Sequence, residues 1–161
     1  MAKIYTCRGD DGSTDLADGK RVLKDDIIIE LLGTIDEFSS MLGVAKVHTK
    51  DEALWGDIER VQKMAFTVMA EIAGGKEAVT DNIIKDVEMM TDKYCQEFSG
   101  FTISGETKAS AFLDVARCII RRAERIAVKL FRQCRITRDA MCWLNRISDL
   151  VYSMARYAAK E

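Results

Sequence analysis

The chain contains no proline, and apolar side chains return every three or four positions through five separate stretches. Proline is the residue that most reliably breaks a helix interior. A chain without it, patterned at helical period and showing no strand alternation, is directed to helices packed on helices. The first stretch runs from about Asp25 to Val47 on Ile28, Leu31, Leu32, Ile35, Phe38, Leu42 and Ala45. Asp25 and Asp26 suit its first turn, where the helix dipole favours anions. The second, from about Asp51 to Ala73, carries Leu54, Ile58, Val61, Met64, Ala65, Val68, Met69 and Ile72, and Gly74-Gly75 halts it. The third begins at Thr80, an N-cap, and turns Ile83, Ile84, Val87, Met90, Tyr94 and Phe98 inward. The fourth spans roughly Thr107 to Gln133, with Phe112, Val115, Ile119, Ala123, Ile126 and Leu130 on its core face. The fifth runs from Thr137 to about Ala159 on Leu144, Ile147, Val151 and Met154. No internal repeat, low-complexity segment or linker divides them. The expectation is one domain over residues 1–161: an all-α five-helix bundle over 25–161, preceded by an irregular segment over 1–24.

Composition narrows the class. A formal net charge of -2 argues against a nucleic-acid binder, which shows a basic excess, but leaves room for one local basic pocket. No apolar run approaches the roughly 20 residues that span a membrane. Lys3 and Arg8 flank no long apolar core, so no secretory signal is read. Cys7, Cys95, Cys118, Cys134 and Cys142 are odd in number and form no Cys-x-x-Cys pair. Reduced thiols in a cytoplasm are the simple expectation, without a disulfide framework or thiolate zinc site. With His48 as the single histidine, no histidine-based metal centre is expected.

Arg117-Cys-Ile-Ile-Arg-Arg-Ala-Glu-Arg125 lies in the fourth helix. Helical spacing sets Arg117, Arg121, Glu124 and Arg125 along one side. Such a stripe is either a solvated face with internal Glu–Arg pairs or a grip for a polyanion, since guanidinium forks match phosphate oxygens. Two further segments carry similar ambiguity. The turn Thr6 to Thr14 packs glycines, aspartates and hydroxyls together, offering backbone N–H groups to an anion, or it is simply a loop. It is not a Walker loop, because no Gly-Lys-Ser/Thr follows at the required spacing. Ser99 to Gly105 breaks the helical pattern, and its Phe101 is either a lid over core or an aromatic pocket wall. On the fifth helix Asn145, Asp149, Tyr152 and Arg156 share one stripe, and on the first Asp36 interrupts the apolar pattern.

Taken together, three segments resemble the PduO-type ATP:cob(I)alamin adenosyltransferases. Lys3-Ile4-Tyr5-Thr6 through Gly9-Asp10-x-Gly12-x-Thr14, followed by Lys24-Asp25-Asp26, is similar to that family's ATP loop. Leu32-Gly33-Thr34-Ile35-Asp36-Glu37-Phe38-x-Ser40 is similar to its first-helix signature. Val115-Ala116-Arg117 through Arg121-Arg122-Ala123-Glu124-Arg125, with Trp143-Leu144-Asn145-Arg146-Ile147-Ser148-Asp149-Leu150, resembles its most specific motifs. The order and separations fit over essentially the whole chain.

The resemblance implies a five-helix bundle assembled as a homotrimer, with active sites between subunits. It implies transfer of the 5′-deoxyadenosyl group of ATP to the cobalt of cob(I)alamin, with Mg²⁺ and an electron donor for the cobalt. ATP would be held by Thr6, Cys7, Arg8, Gly9, Thr14 and Lys24, by Arg121, Arg122, Glu124 and Arg125, and by Asn145. Asp36 would pair with Arg117 across the subunit boundary, and Phe101 would face the corrin. Three departures stand out. Ile103-Ser104-Gly105-Glu106 replaces the family's Leu-Pro-Gly-Gly, Asp114 replaces a common His, and Cys7-Arg8 replaces a Lys-Thr type pair. The altered 103–106 loop keeps a rival reading in view: a non-catalytic, ATP-gated corrinoid carrier on the same fold.

Overall fold

The computed structural model describes residues 5–76, 78–95 and 102–160. It contains the five expected helices: α1 (Ile27–Lys46), α2 (Glu52–Ile72), α3 (Asp81–Tyr94), α4 (Lys108–Arg132) and α5 (Arg138–Ala158). Their starts are written in short polar side chains. Asp26 caps α1 by accepting from the Ile28 N–H, and Asp51 caps α2 by accepting from Leu54. Thr107 and Ser110 form a reciprocal capping box at α4, and Thr137 accepts from Ala140 at α5. Thr80 sits at the N-cap of α3 without a side-chain bond. Asp26 is thus a cap and not a first-turn residue, and Asp25 precedes the helix.

The segment before α1 departs from the expectation. It holds an antiparallel hairpin, β1 (Ser13–Asp15) against β2 (Arg21–Leu23), with Thr14 opposite Val22 and Asp15 opposite Arg21. Its turn closes through Leu16 N–H to Lys20 carbonyl at 2.8 Å, with Gly19 at φ +83. Strands of three residues are too short to show alternation in a sequence, so the hairpin was invisible to a periodicity reading. Leu16 packs on the core, and the Asp18 N–H reaches the Ala73 carbonyl at 3.4 Å, docking the hairpin at the end of α2.

Within the bundle α4 lies between α1 and α5, α2 covers α1, and α3 covers α5. Asp26 bonds Arg135 at 2.8 Å, and Glu37 pairs with Arg122, so α1 and α4 run antiparallel. Trp143, Phe38, Leu31, Ile35, Leu113 and Ile120 are among the fully buried side chains between them. The core face of α4 also differs from expectation. Val115 is 45% exposed, while Leu113, Ala116, Ile120 and Ala127 are buried. A helix flanked on two sides buries a wide arc, and its centre need not follow the line of the largest residues. Phe98 and Phe101 lie outside the described residues. Among those described, no helix is long and apolar enough to cross a membrane.

Candidate functional site

The amino-terminal loop and hairpin surround a hollow of about 270 Å³ lined by Thr6, Arg8, Gly9, Ser13, Thr14, Asp15 and Arg21. Four of the six expected loop residues, Thr6, Arg8, Gly9 and Thr14, therefore share one wall. Lys24 ties the loop down by donating to the Gly9 carbonyl at 2.8 Å. A Cβ on Gly9 would stand 2.9 Å from the Lys24 Nζ, so glycine is required for that approach. Cys7 is exposed at φ +58, a left-handed conformation uncommon outside glycine.

Arg21 is a loop organiser that the sequence reading missed. It bonds Asp15 and Asp11, each at 3.1 Å, and donates to the Arg8 carbonyl. Only strand register, which sets Arg21 against Asp15, would have exposed it. The hydroxyl and N–H of Ser13, with Arg21, hold the Asp11 carboxyl down at about 2. Asp11 and Asp15 in turn push the Arg21 guanidinium up. Arg8 pairs with Asp15 at 2.9 Å, leaving both charges largely in water.

On α4 the stripe divides. Arg122 is committed to Glu37 of α1. Arg125 donates to the Arg121 carbonyl at 3.0 Å. Arg121 and Arg125 are exposed, and among the described residues neither meets a carboxylate. Glu124, half-buried between them in sequence, forms no ion pair among the described residues. The internal Glu–Arg pairing of a decorated solvent face is therefore not made. The stripe presents uncommitted guanidinium donors instead, the arrangement that receives an anion.

The α4–α5 register brings the last ligand candidate alongside. Asp114 bonds Arg156, and Arg117 lies 5.9 Å from the Tyr152 ring centre. Continued along the two antiparallel helices, that register sets exposed Asn145 level with Arg125. Asp36 and Arg117, by contrast, do not meet within the chain. Asp36 lines a hollow of about 300 Å³ with Ser39, Gln62 and Phe66 between α1 and α2. Arg117 faces Tyr152 of α5, and its Nε is buried without an acceptor among the described residues. Phe101 lies outside the described residues.

Fold and site define a helical bundle that offers guanidinium and amide groups from two adjacent helices to an anion, with a glycine-bearing hairpin at the bundle's end. The family model for cobalamin adenosyltransferase matches residues 4–158, and the chain belongs to that family. It is 37% identical over 166 residues to a corrinoid adenosyltransferase of Citrobacter freundii, covering 97% of this chain and 94% of that protein. It is 33% identical to the corrinoid adenosyltransferase MMAB of Homo sapiens, over 99% of this chain and 70% of that one. Among solved structures it superposes at a TM-score of 0.90 on a variant PduO-type ATP:corrinoid adenosyltransferase from Lactobacillus reuteri, complexed with cobalamin and ATP. That protein is 29% identical, and the match covers 98% of this chain and 94% of the other. A second variant of the same enzyme, complexed with ATP, superposes at 0.89 with 30% identity, over 98% and 94% of the two chains.

Proposed function

We propose that this chain transfers the 5′-deoxyadenosyl group of ATP to the cobalt of cob(I)alamin, releasing triphosphate. The observation that carries the reading is the pair of guanidiniums, Arg121 and Arg125, without carboxylate partners among the described residues and level with Asn145, in a chain of this family. Reduced cobalt is the nucleophile. It attacks the 5′ carbon of the ribose, the carbon–oxygen bond breaks, and the triphosphate leaves with the electron pair. No side chain has to act as base or nucleophile. The protein holds the reactants in line and stabilises charge on the departing oxygens. Arg121, Arg122, Arg125 and Lys24 serve that charge, while Thr6, Cys7, Arg8, Gly9 and Thr14 wrap the nucleotide with hydroxyl and backbone groups. Residues 1–24 form the nucleotide-binding part of a single domain whose bundle is 25–161.

A Mg²⁺ ion fits the donor set. Glu124, a carboxylate without an ion-pair partner among the described residues, is a hard oxygen ligand for an ion carried on the triphosphate. Bound there, Mg²⁺ would offset negative charge on the leaving group. The active assembly is a homotrimer in which Asp36 of one copy meets Arg117 of the next. The exposure of Asp36 and the buried, acceptor-less Nε of Arg117 support that pairing. Phe101 and the 102–106 loop face the corrin, an electron donor reduces the cobalt, and the enzyme works in the cytoplasm.

Anaerobic incubation with ATP and chemically reduced cobalamin tests the reaction. The expected result is the absorption spectrum of adenosylcobalamin with one triphosphate per cobalt alkylated. Binding of both substrates without a cobalt–carbon bond would instead establish the carrier that the altered 103–106 loop favours. Arg117→Ala should lower both trimer content and rate, read by sedimentation and by the same assay. A variant with normal assembly and rate would remove the Asp36 pairing.

A further inference from the structure

The last turn of α5 holds a charged knot that adenosyl transfer does not by itself require. Arg156 has 12% of its side chain exposed and Asp114 has 8%. Burying two charges is unfavourable unless their hydrogen-bonding groups are answered. The Nη2 of Arg156 donates to Asp114 on α4, and its Nη1 donates to Thr102 Oγ1, with Glu106 Oε1 at 3.5 Å. The Tyr152 ring centre lies 5.6 Å from its Cζ. One guanidinium therefore joins α4, α5 and the loop between residues 102 and 106. A neighbouring tie repeats the connection: Thr107 Oγ1 donates to the Ala158 carbonyl at 2.9 Å.

A purely structural role would be met by Asp114 alone, or by apolar side chains of the same volume. Half of the Arg156 fork goes to the loop instead. The pinned loop turns at Gly105, whose φ of +111 suits glycine, and it carries Ile103 at 91% exposure. A fixed loop that presents an apolar side chain to solvent has the form of a wall awaiting an apolar ligand surface.

We propose that Arg156 is a positioning residue for the corrinoid. By forking between Asp114 and the pair Thr102 and Glu106, it fixes the 102–106 loop so that Ile103 stands against the face of the corrin. It thereby sets corrinoid affinity separately from ATP affinity. The proposal rests on the adenosyl-transfer reading.

The test uses the full chain carrying Thr102→Val and Glu106→Gln together, which cuts the loop side of the fork and keeps the buried pair. Amide hydrogen exchange over residues 103–106 should quicken by about tenfold, the ratio set by one charge-assisted hydrogen bond. The KM for cob(I)alamin should rise by a similar factor while the KM for ATP stays unchanged. Arg156→Lys, which keeps the charge beside Asp114 but loses the planar fork, should fall between wild type and the double variant. Unchanged loop exchange overturns the proposal, and so does an equal rise in both KM values. A wild-type chain that forms no cobalt–carbon bond overturns the reaction reading alone. Loop exchange and equilibrium cob(II)alamin binding then decide the role of Arg156, and wild-type affinity in the double variant overturns it.

Discussion

In the amino-terminal hairpin, Arg21 gathers Asp11 and Asp15 in water, and every ion pair there is exposed on at least one side. In the α4–α5 seam, Arg156 and Asp114 are nearly enclosed, beside fully buried Leu113 and Leu144. Exposed pairs add little and rearrange readily, whereas an enclosed pair holds one geometry. The molecule thus combines a pliable strap with a rigid seam. The strap can re-form around a nucleotide, and the seam keeps Arg121, Arg125 and Asn145 in fixed relation.

The strongest way to break this contrast is at the seam's uncommitted donor. Arg121→Ala should lower turnover by about a hundredfold or more, as loss of a leaving-group donor does, while circular dichroism shows an unchanged fold. If rate survives, the charge on the leaving group is met elsewhere. Leu144→Ala should destabilise the chain by about 3 kcal/mol in urea unfolding, because the site is fully enclosed. A cost under about 1 kcal/mol would mean the seam collapses easily and is not the rigid member.

Asp26 joins the two regions, capping α1 and bonding Arg135 at 2.8 Å. Asp26→Ala should cost about 1 kcal/mol in the same measurement, the usual worth of an N-cap, and Asp26→Asn less. The smallest effect concerns acid. The Asp11 carboxyl lies at about 2 in the hairpin against an ordinary 3.8. A depressed value stabilises the ionised, ordered loop, so its contribution is complete above about pH 4 and is lost as pH falls through about 2. Amide exchange at Ser13 should rise over that interval in wild type and lose this dependence in Asp11→Asn. An identical acid response in that variant would mean the strap is held by something other than this carboxylate.

The helices were legible because apolar period survives any tertiary context, and Gly74-Gly75 and Thr107 mark ends in local chemistry. The grouping of Arg121, Arg125 and Asn145 was legible as helix arithmetic joined to a family resemblance. What escaped depends on partners distant in sequence. Arg21 acquires its role only through strand register, and Arg156 through a loop some fifty residues away. The failed placement of Val115 in the core shows the same limit, since the side of α4 that is buried depends on where α1 and α5 lie.

The turn joining α4 to α5 is short and tightly drawn. The Arg135 N–H returns to the Leu130 carbonyl at 3.0 Å, and Cys134 adopts φ +54. That connection acts as a phase setter for the whole carboxy-terminal rod. One added residue there would rotate everything downstream by about 100°. Both rods would remain helical, yet the amide at 145 would swing away from the arginines at 121 and 125. Tolerance to substitution at this corner can therefore coexist with intolerance to any change in its length.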